Sequence, residues 1–401
     1  MPLELLPGNR LTLLNSGREY FPALLAALQE AEKEIHLESY IFANDDIGNA
    51  VAGELVQAAR RGVQVRVLVD GFGARNFVVD FESRLSQAGA QVMLYRRELA
   101  GFSLKLQRHR LRRLHRKLVV VDGRIGFVGG INIVDDNNTP AELRPRYDYA
   151  VRAEGPVVAQ IHAAVRRMWE IVAWANLKHR FRLPPRMMAP LPRAGEQTAA
   201  FLLRDNFRHR NDIANAYLEA IQGARDEIII ANAYFLPGFR FRHAFREAAQ
   251  RGVRISILLQ GVSDHPLLRY ATCALHGALI DDGMRVFEYR KSFLHAKVAV
   301  VDGEWATVGS SNIDPFSLLL AKEGNIVVRD SRFAAELRTS LIEAMAAGAE
   351  EIRSDDLKRI PLYSRLLRWL SYGLVRLMVG LAGFGPKHWQ ANEERPEVTE
   401  R

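Results

Sequence analysis

The chain has 401 residues, 48% of them apolar and 25% charged, with 55 Lys and Arg against 46 Asp and Glu. That length and balance exclude wholesale disorder and leave room for two or three domains, each with a real core. The net charge of +9 points toward an anionic partner, either nucleic acid, an anionic membrane surface or a phosphorylated substrate.

The N-terminal stretch MPLELLPGNRLTLLNSG has no basic region followed by a long apolar run, so it does not read as a secretion signal. No segment reaches about 18 uncharged apolar residues, and no membrane-spanning helix is expected. The expected location is the cytoplasm or the cytoplasmic face of a membrane. Residues 23–37 (ALLAALQEAEKEIHL) then read as an amphipathic helix entering a buried strand. In ARRGVQVRVLVDG (59–71) a helix stops at Gly62 and a β-branched strand follows. QVMLYR (91–96) is a further strand. The segment RLHRKLVVVDGRIGFVGGIN (113–132) predicts a strand, an Asp-Gly turn, a return strand and a small-residue turn. Residues 157–181 have helical spacing, with Trp169 and Trp174 as packing residues, and close a first half. In LPPRMMAPLPRAGEQT (183–198) four prolines forbid a continuing helix and mark a domain boundary.

The same series then runs again. AYLEAIQGARDEIII (216–230), AQRGVRISILLQG (249–261), RVFEYR (285–290) and FLHAKVAVVDGEWATVGSSN (293–312) answer the four segments above in order. This predicts an α/β fold built twice, two mixed sheets flanked by helices and related by a pseudo-twofold axis. The expected units are 1–190, 191–355 and a C-terminal segment, 356–401. Cys273 is the only cysteine, which excludes internal disulfides and Cys-rich zinc sites; it reads as a buried filler, as do His36, His162 and His276.

In the repeated stretch, polar residues keep register along with the valines. His115, Lys117, Asp122 and Asn132 correspond to His295, Lys297, Asp302 and Asn312, 180 positions on. His and Lys two apart on a strand share a face, and Asn lies 17 positions beyond each His, after a segment small enough for close backbone approach. Each half supplies one imidazole, so a complete acid–base pair requires both halves around one pocket. Two ammonium groups and two amides suit the non-bridging oxygens of a phosphodiester and the charge of five-coordinate phosphorus. One His can attack phosphorus while the other protonates the departing alkoxide, with no metal or other cofactor needed. Asp122 and Asp302 fall off the His/Lys face at the turn and are expected to lock the hairpin. Asp148 and Glu323, each on the next strand, are the candidates for orienting the imidazoles.

HRKLVVVDGRIGFVGGIN and HAKVAVVDGEWATVGSSN resemble the paired HKD motifs of the phospholipase D superfamily. EIIIANAYFLPGFRF, VFEYR and ATVGSSNIDPFSLLLAKEGNIVV further resemble its bacterial cardiolipin synthases, in the short B form without N-terminal membrane helices. The resemblance spans roughly residues 8–350. It implies a phosphatidyltransferase that moves a phosphatidyl group from one phosphatidylglycerol to another through a phosphohistidine. It also implies His115, Lys117 and Asp122, with His295, Lys297 and Asp302, as the catalytic set. The partners it implies are phosphatidylglycerol and the anionic cytoplasmic face of a bacterial inner membrane, with no nucleic acid; a phospholipase D or nuclease would use the same pocket.

Two further segments fit a lipid surface. Tyr95 to His115 spans 20 positions where Tyr289 to His295 spans 6, and the additional residues mix Phe102, Leu104 and Leu106 with Lys105, Arg108, Arg110, Arg112 and Arg113. Residues 356–389 combine Arg365, Arg368 and Arg376 with many Leu, Val, Trp and Tyr. They read as an interfacial amphipathic segment or as a helix closing the second core, ahead of a polar tail.

Overall fold

A computed structural model describes residues 3–96, 112–178, 181, 183, 191–262 and 265–381. The first half runs β1 (Leu6–Asn15), α1 (Ser16–Gln29), β2 (Glu34–Ser39), α2 (Asp46–Arg60), β3 (Gln64–Asp70), α3 (Ser83–Gln87) and β4 (Gln91–Tyr95). It continues with β5 (Lys117–Val121), β6 (Ile125–Gly129), β7 (Tyr149–Glu154) and α4 (Val157–Ala175). The second half repeats the plan. It comprises β8 (Gln197–Arg204), α5 (Asp212–Gly223), β9 (Glu227–Asn232), α6 (Phe239–Gln250), β10 (Arg254–Gln260), α7 (Pro266–Cys273), α8 (His276–Asp281) and β11 (Arg285–Tyr289). After these come β12 (Lys297–Val301), β13 (Trp305–Gly309), α9 (Pro315–Leu319), β14 (Glu323–Arg329) and α10 (Ser331–Gly348). The chain then adds β15 (Ala349–Ile352), α11 (Ser354–Lys358) and α12 (Leu362–Leu381).

Each half orders its strands alike. β2, β3 and β4 are parallel, while β5 turns back against β2 and continues through β6 and β7; β9 to β14 do the same. The runs KLVVV and KVAVV are buried throughout, which is why they show no alternation of polar and apolar residues. The RGV tripeptides end α2 and α6 through Gly62 and Gly252 at φ of 91° and 89°, where a side chain would be strained.

An additional strand opens each half, and the sequence patterning does not announce it. β1 pairs with β7, β8 pairs with β14, and β1 and β8 meet through Leu6–Ala199 and Asn9–Gln197. The two expected sheets are thereby joined edge to edge into a single 15-stranded sheet. LPGNRLTLLN carries a Gly at φ 92° and few β-branched residues, so its local preference for a strand is weak. A shared core then holds the halves together, with Leu118, Val120, Val128 and Val151 in one cluster with Val298, Val300, Val308 and Ile326.

Trp169 is buried in a small core, whereas Trp174 is 65% exposed. Cys273, His36, His162 and His276 are buried as expected. Most of the proline-rich connection, the insertion from 97 to 111 and the tail beyond 381 lie outside the described residues.

Candidate active site

β5 and β12 each begin at the lysine of a motif, and the His two residues earlier sits where the chain enters the sheet. There each His segment pairs with the other half. Leu114 bridges Lys322, with His115 N–H donating to the Lys322 carbonyl (2.9 Å) and Lys322 N–H to Arg113 (2.8 Å). Leu294 likewise bridges Tyr147, with His295 N–H donating to the Tyr147 carbonyl at 2.7 Å. Lys322 and Tyr147 immediately precede Glu323 and Asp148. The exchange therefore sets each imidazole beside the carboxylate of the opposite half.

His115 Nδ1 lies 3.0 Å from Glu323 Oε1, and His295 Nδ1 lies 2.7 Å from Asp148 Oδ2. A carboxylate at Nδ1 fixes the tautomer that protonates Nδ1 and leaves the lone pair on Nε2. The carboxylates are themselves held. Ser310 Oγ donates to Glu323 at 2.5 Å, and Tyr149 N–H donates to Asp148 at 2.8 Å. A Cβ at Gly130, the counterpart of Ser310, would fall 2.4 Å from Asp148 Oδ1, so this position must be glycine for Asp148 to sit there.

Lys117 and Lys297 are buried, each turning its ammonium to the carbonyl of the His two residues before it; for Lys117 the distance is 2.5 Å. Lys297 Nζ also lies 3.9 Å from Asp148. Asn132 and Asn312 are buried, their Oδ1 atoms accepting from Ile41 N–H (3.0 Å) and Tyr234 N–H (3.3 Å). Engaging the oxygen this way leaves the NH2 group as the end able to meet an anion. Sequence patterning did not find Ser310, although it stands in the GSSN segment. It also missed Tyr40, whose ring meets His115 edge-on at 4.9 Å, and Arg146, stacked over Phe293 at 5.2 Å; neither carries a local signal.

Burial sets the charge state. It lowers the proton affinity of His115 beyond what Glu323 restores, and holds His295 well below the ordinary imidazole range with the help of Lys297 and Arg146. Lys117 is brought down to about 7 by burial, against the pull of Glu323, with Lys297 adding to the drop. Asp148 is pushed up to about 6 by burial, against the pull of Lys297. Burial thus favours the unprotonated imidazole, the form a nucleophile must have.

Asp122 and Asp302 belong elsewhere. They stand at the far end of β5 and β12, roughly 16 Å from Lys117 and Lys297 at strand rise. In the turns Asp122-Gly123 and Asp302-Gly303 every residue has positive φ, from 51° to 66°, the geometry of a primed hairpin turn. Each carboxylate accepts three backbone N–H groups, from Glu32, Lys33 and Glu34 or from Arg225, Asp226 and Glu227. Those donors outweigh the burial of Asp302 and hold its carboxyl below the usual range. As members of a catalytic set the two aspartates are corrected by their position; they fasten the hairpin to the start of β2 or β9.

Among the described residues two buried clusters bring together groups that can ligate a metal, Glu34–His36–His162 and Cys273–His276–Glu288. In both, guanidinium groups already balance the carboxylate. Arg66 and Arg166 lie 3.2 and 3.8 Å from Glu34, and Arg269 and Arg290 lie 3.3 and 2.9 Å from Glu288.

Comparison with known proteins places the chain among relatives of one kind. The family described as "Cardiolipin synthase, PLD-like domain" matches residues 24–169 and 217–345. Cardiolipin synthase B of Escherichia coli K12 is 38% identical over 393 residues, covering 95% of this chain and 91% of that protein. Major cardiolipin synthase ClsA of Bacillus subtilis is 32% identical over 367 residues, covering 89% and 73%. Among solved structures, phosphatidylserine synthase of Haemophilus influenzae superposes with a TM-score of 0.66 at 13% identity, covering 95% of this chain and 97% of that one, a likeness of fold.

Proposed function

The chain belongs to the phospholipase D-like cardiolipin synthase family, and on that premise we propose that it joins two phosphatidylglycerol molecules into cardiolipin, releasing glycerol. Its class is that of the phosphatidyltransferases. One observation carries the mechanism: each of two imidazoles is tied through Nδ1 to a carboxylate of the opposite half, which leaves both Nε2 atoms for chemistry. One Nε2 attacks the phosphorus of the first lipid. The bond from phosphorus to the headgroup oxygen breaks, and the other imidazole, protonated, gives its proton to the departing glycerol. The terminal hydroxyl of the second lipid's headgroup then loses its proton to that imidazole and attacks phosphorus. The phosphorus–nitrogen bond breaks, cardiolipin leaves and the first imidazole is restored. Lys117, Lys297 and the amides of Asn132 and Asn312 hold the non-bridging oxygens through both steps.

The division at residues 190 and 355 and a peripheral place on the cytoplasmic face of a bacterial inner membrane form part of the same proposal. No helix among the described residues is long and apolar enough to cross a membrane. α12 supports surface attachment. It seats Val375 and Val379 inward and exposes Leu366, Trp369, Leu370, Leu374 and Leu377 beside its arginines.

Purified protein with phosphatidylglycerol vesicles should yield cardiolipin and free glycerol in equal amounts, and excess glycerol should drive the reaction back. Formation of phosphatidic acid alone would assign the site to a hydrolase. Cleavage of plasmid DNA without lipid would assign it to a nuclease. Acid-labile phosphate trapped on His should vanish in whichever of His115→Ala and His295→Ala removes the nucleophile.

A further inference from the structure

The two halves differ beside the reactive centre, and the difference is one of polarity. In the first half the turn after β6 and the entry to α2 are closed by hydrogen bonds. Asp45 accepts from Gly48 N–H (2.9 Å), Asp135 N–H (2.9 Å) and Asn138 Nδ2 (3.1 Å), and Asn49 donates to Asn44 at 2.9 Å. The bridges Phe42–Ile133 and Phe235–Ile313 align the halves residue by residue here. By that alignment Gly238 stands for Asp45, Phe239 for Asp46, Pro315 for Asp135 and Leu318 for Asn138. These four polar residues thus give way to glycine or an apolar side chain, while Asn44 answers to Pro237 and Asn49 to Arg242.

What results is a groove of about 110 Å3 between α5, the start of α6 and α9, lined by Leu218, Leu236, Phe239, Pro315, Leu318 and Leu319. Its one acid, Asp314, turns into the first turn of α9, accepting from Phe316 and Ser317 N–H at 2.7 and 3.1 Å. Phe239 on the rim is 57% exposed, and Phe207, in the turn before α5, is 77% exposed. The groove begins at Asp314, two residues after Asn312. Pockets that enclose a whole drug-sized ligand run to roughly 300–1,000 Å3, so this one suits a stretch of hydrocarbon and not a headgroup.

We propose that this groove takes one acyl chain of a phospholipid whose phosphate sits between His115 and His295, and that the first half offers no equivalent seat. The assignment rests on the phosphatidyl-transfer reading above. It makes the two lipids unequal: one is gripped by its tail as well as its phosphate, the other by its headgroup alone. The occupant follows from Asp314 of the groove wall standing two residues from Asn312, and from a lining that is apolar apart from Asn211, Arg240 and Asp314 where the first half has Asp45, Asp135 and Asn138.

The test compares dioleoyl phosphatidylglycerol in vesicles with monomeric dihexanoyl phosphatidylglycerol, reading the ratio of kcat/KM for the two. Ala214→Trp fills the groove while adding apolar surface, and Phe239→Ser with Leu318→Ser makes its rim polar. Both changes should lower the long-chain to short-chain ratio by about tenfold, the order expected when a few methylenes lose their burial. A ratio unchanged in Ala214→Trp overturns the proposal. A fall confined to the serine variant also overturns it, since that pattern belongs to weaker adsorption at the surface. Thermal melts show whether Ala214→Trp is folded, and if it is not, Ala214→Phe takes its place as the groove-filling variant. Wild-type protein that makes no cardiolipin from either lipid would instead sink the underlying reading, an outcome separate from these.

Discussion

At the scale of single residues, the site joins groups whose identities were readable and whose pairing was not. HxK spacing, the trailing Asn and the candidacy of Asp148 and Glu323 all follow from strand parity and repetition. That each carboxylate serves the imidazole of the other half depends on the bridges Leu114–Lys322 and Tyr147–Leu294, between segments 147 to 208 positions apart, for which a local pattern holds no information. Asp148→Asn and Glu323→Gln should each lower kcat about 10²- to 10⁴-fold. An amide can donate to Nδ1, which moves the imidazole proton to Nε2 and removes the reacting lone pair. Imidazole Nδ1 and Nε2 chemical shifts in labelled protein would report the change of tautomer, and an unchanged kcat would refute the orienting role. Lys117 gives a prediction on pH. Its charged form is the one that holds phosphate, and burial brings its proton affinity down to about 7. The kcat/KM of the free enzyme should therefore fall as pH rises through about 7. Whatever activity Lys117→Arg retains should lack that limb, because guanidinium stays charged.

At the scale of elements, the strands and helices with strong periodicity or β-branched runs were legible, and β1 and β8 were not. Both are strands because of what they pair with, β1 against β7 and β8 against β14, and tertiary context outweighs a weak local preference. α12 divides its side chains between the core and solvent. Val375 joins the second-half core, while Leu366, Trp369, Leu370 and Leu377 stay in the open. Replacing Leu366, Trp369 and Leu370 together with Ser should leave the melting temperature within a few degrees, since none of the three is buried. Binding to vesicles rich in anionic lipid should fall at least tenfold, as roughly 0.8 kcal/mol goes with each methylene removed from the interface. Co-sedimentation measures it, and undiminished binding would place the membrane contact on another surface.

At the scale of the whole molecule, duplication was legible from four aligned segments, while the joining of both sheets through two residue pairs was not. Burial of histidines has a cost in acid. His36 and His276 are buried and neutral, each brought down to about 4 by desolvation, whereas an unfolded chain protonates them near 6.5. Between those values the unfolded state binds more protons, so stability declines as pH falls from about 6.5 to about 4. Each histidine contributes a loss of up to about 3 kcal/mol. Denaturant midpoints across that range should show the decline, and His276→Phe should flatten part of it. An equal slope in that variant would assign the loss to other groups.

The exchange of Glu323 for Asp148 across the seam also bears on origins. A polypeptide bearing just one repeat would have had an imidazole without its carboxylate, and a second copy of itself could have supplied the missing group. Such an ancestor worked as a homodimer or not at all. Only after fusion could its twin subsites drift apart, one keeping an Asp and a Gly where the other now holds a Glu and a Ser.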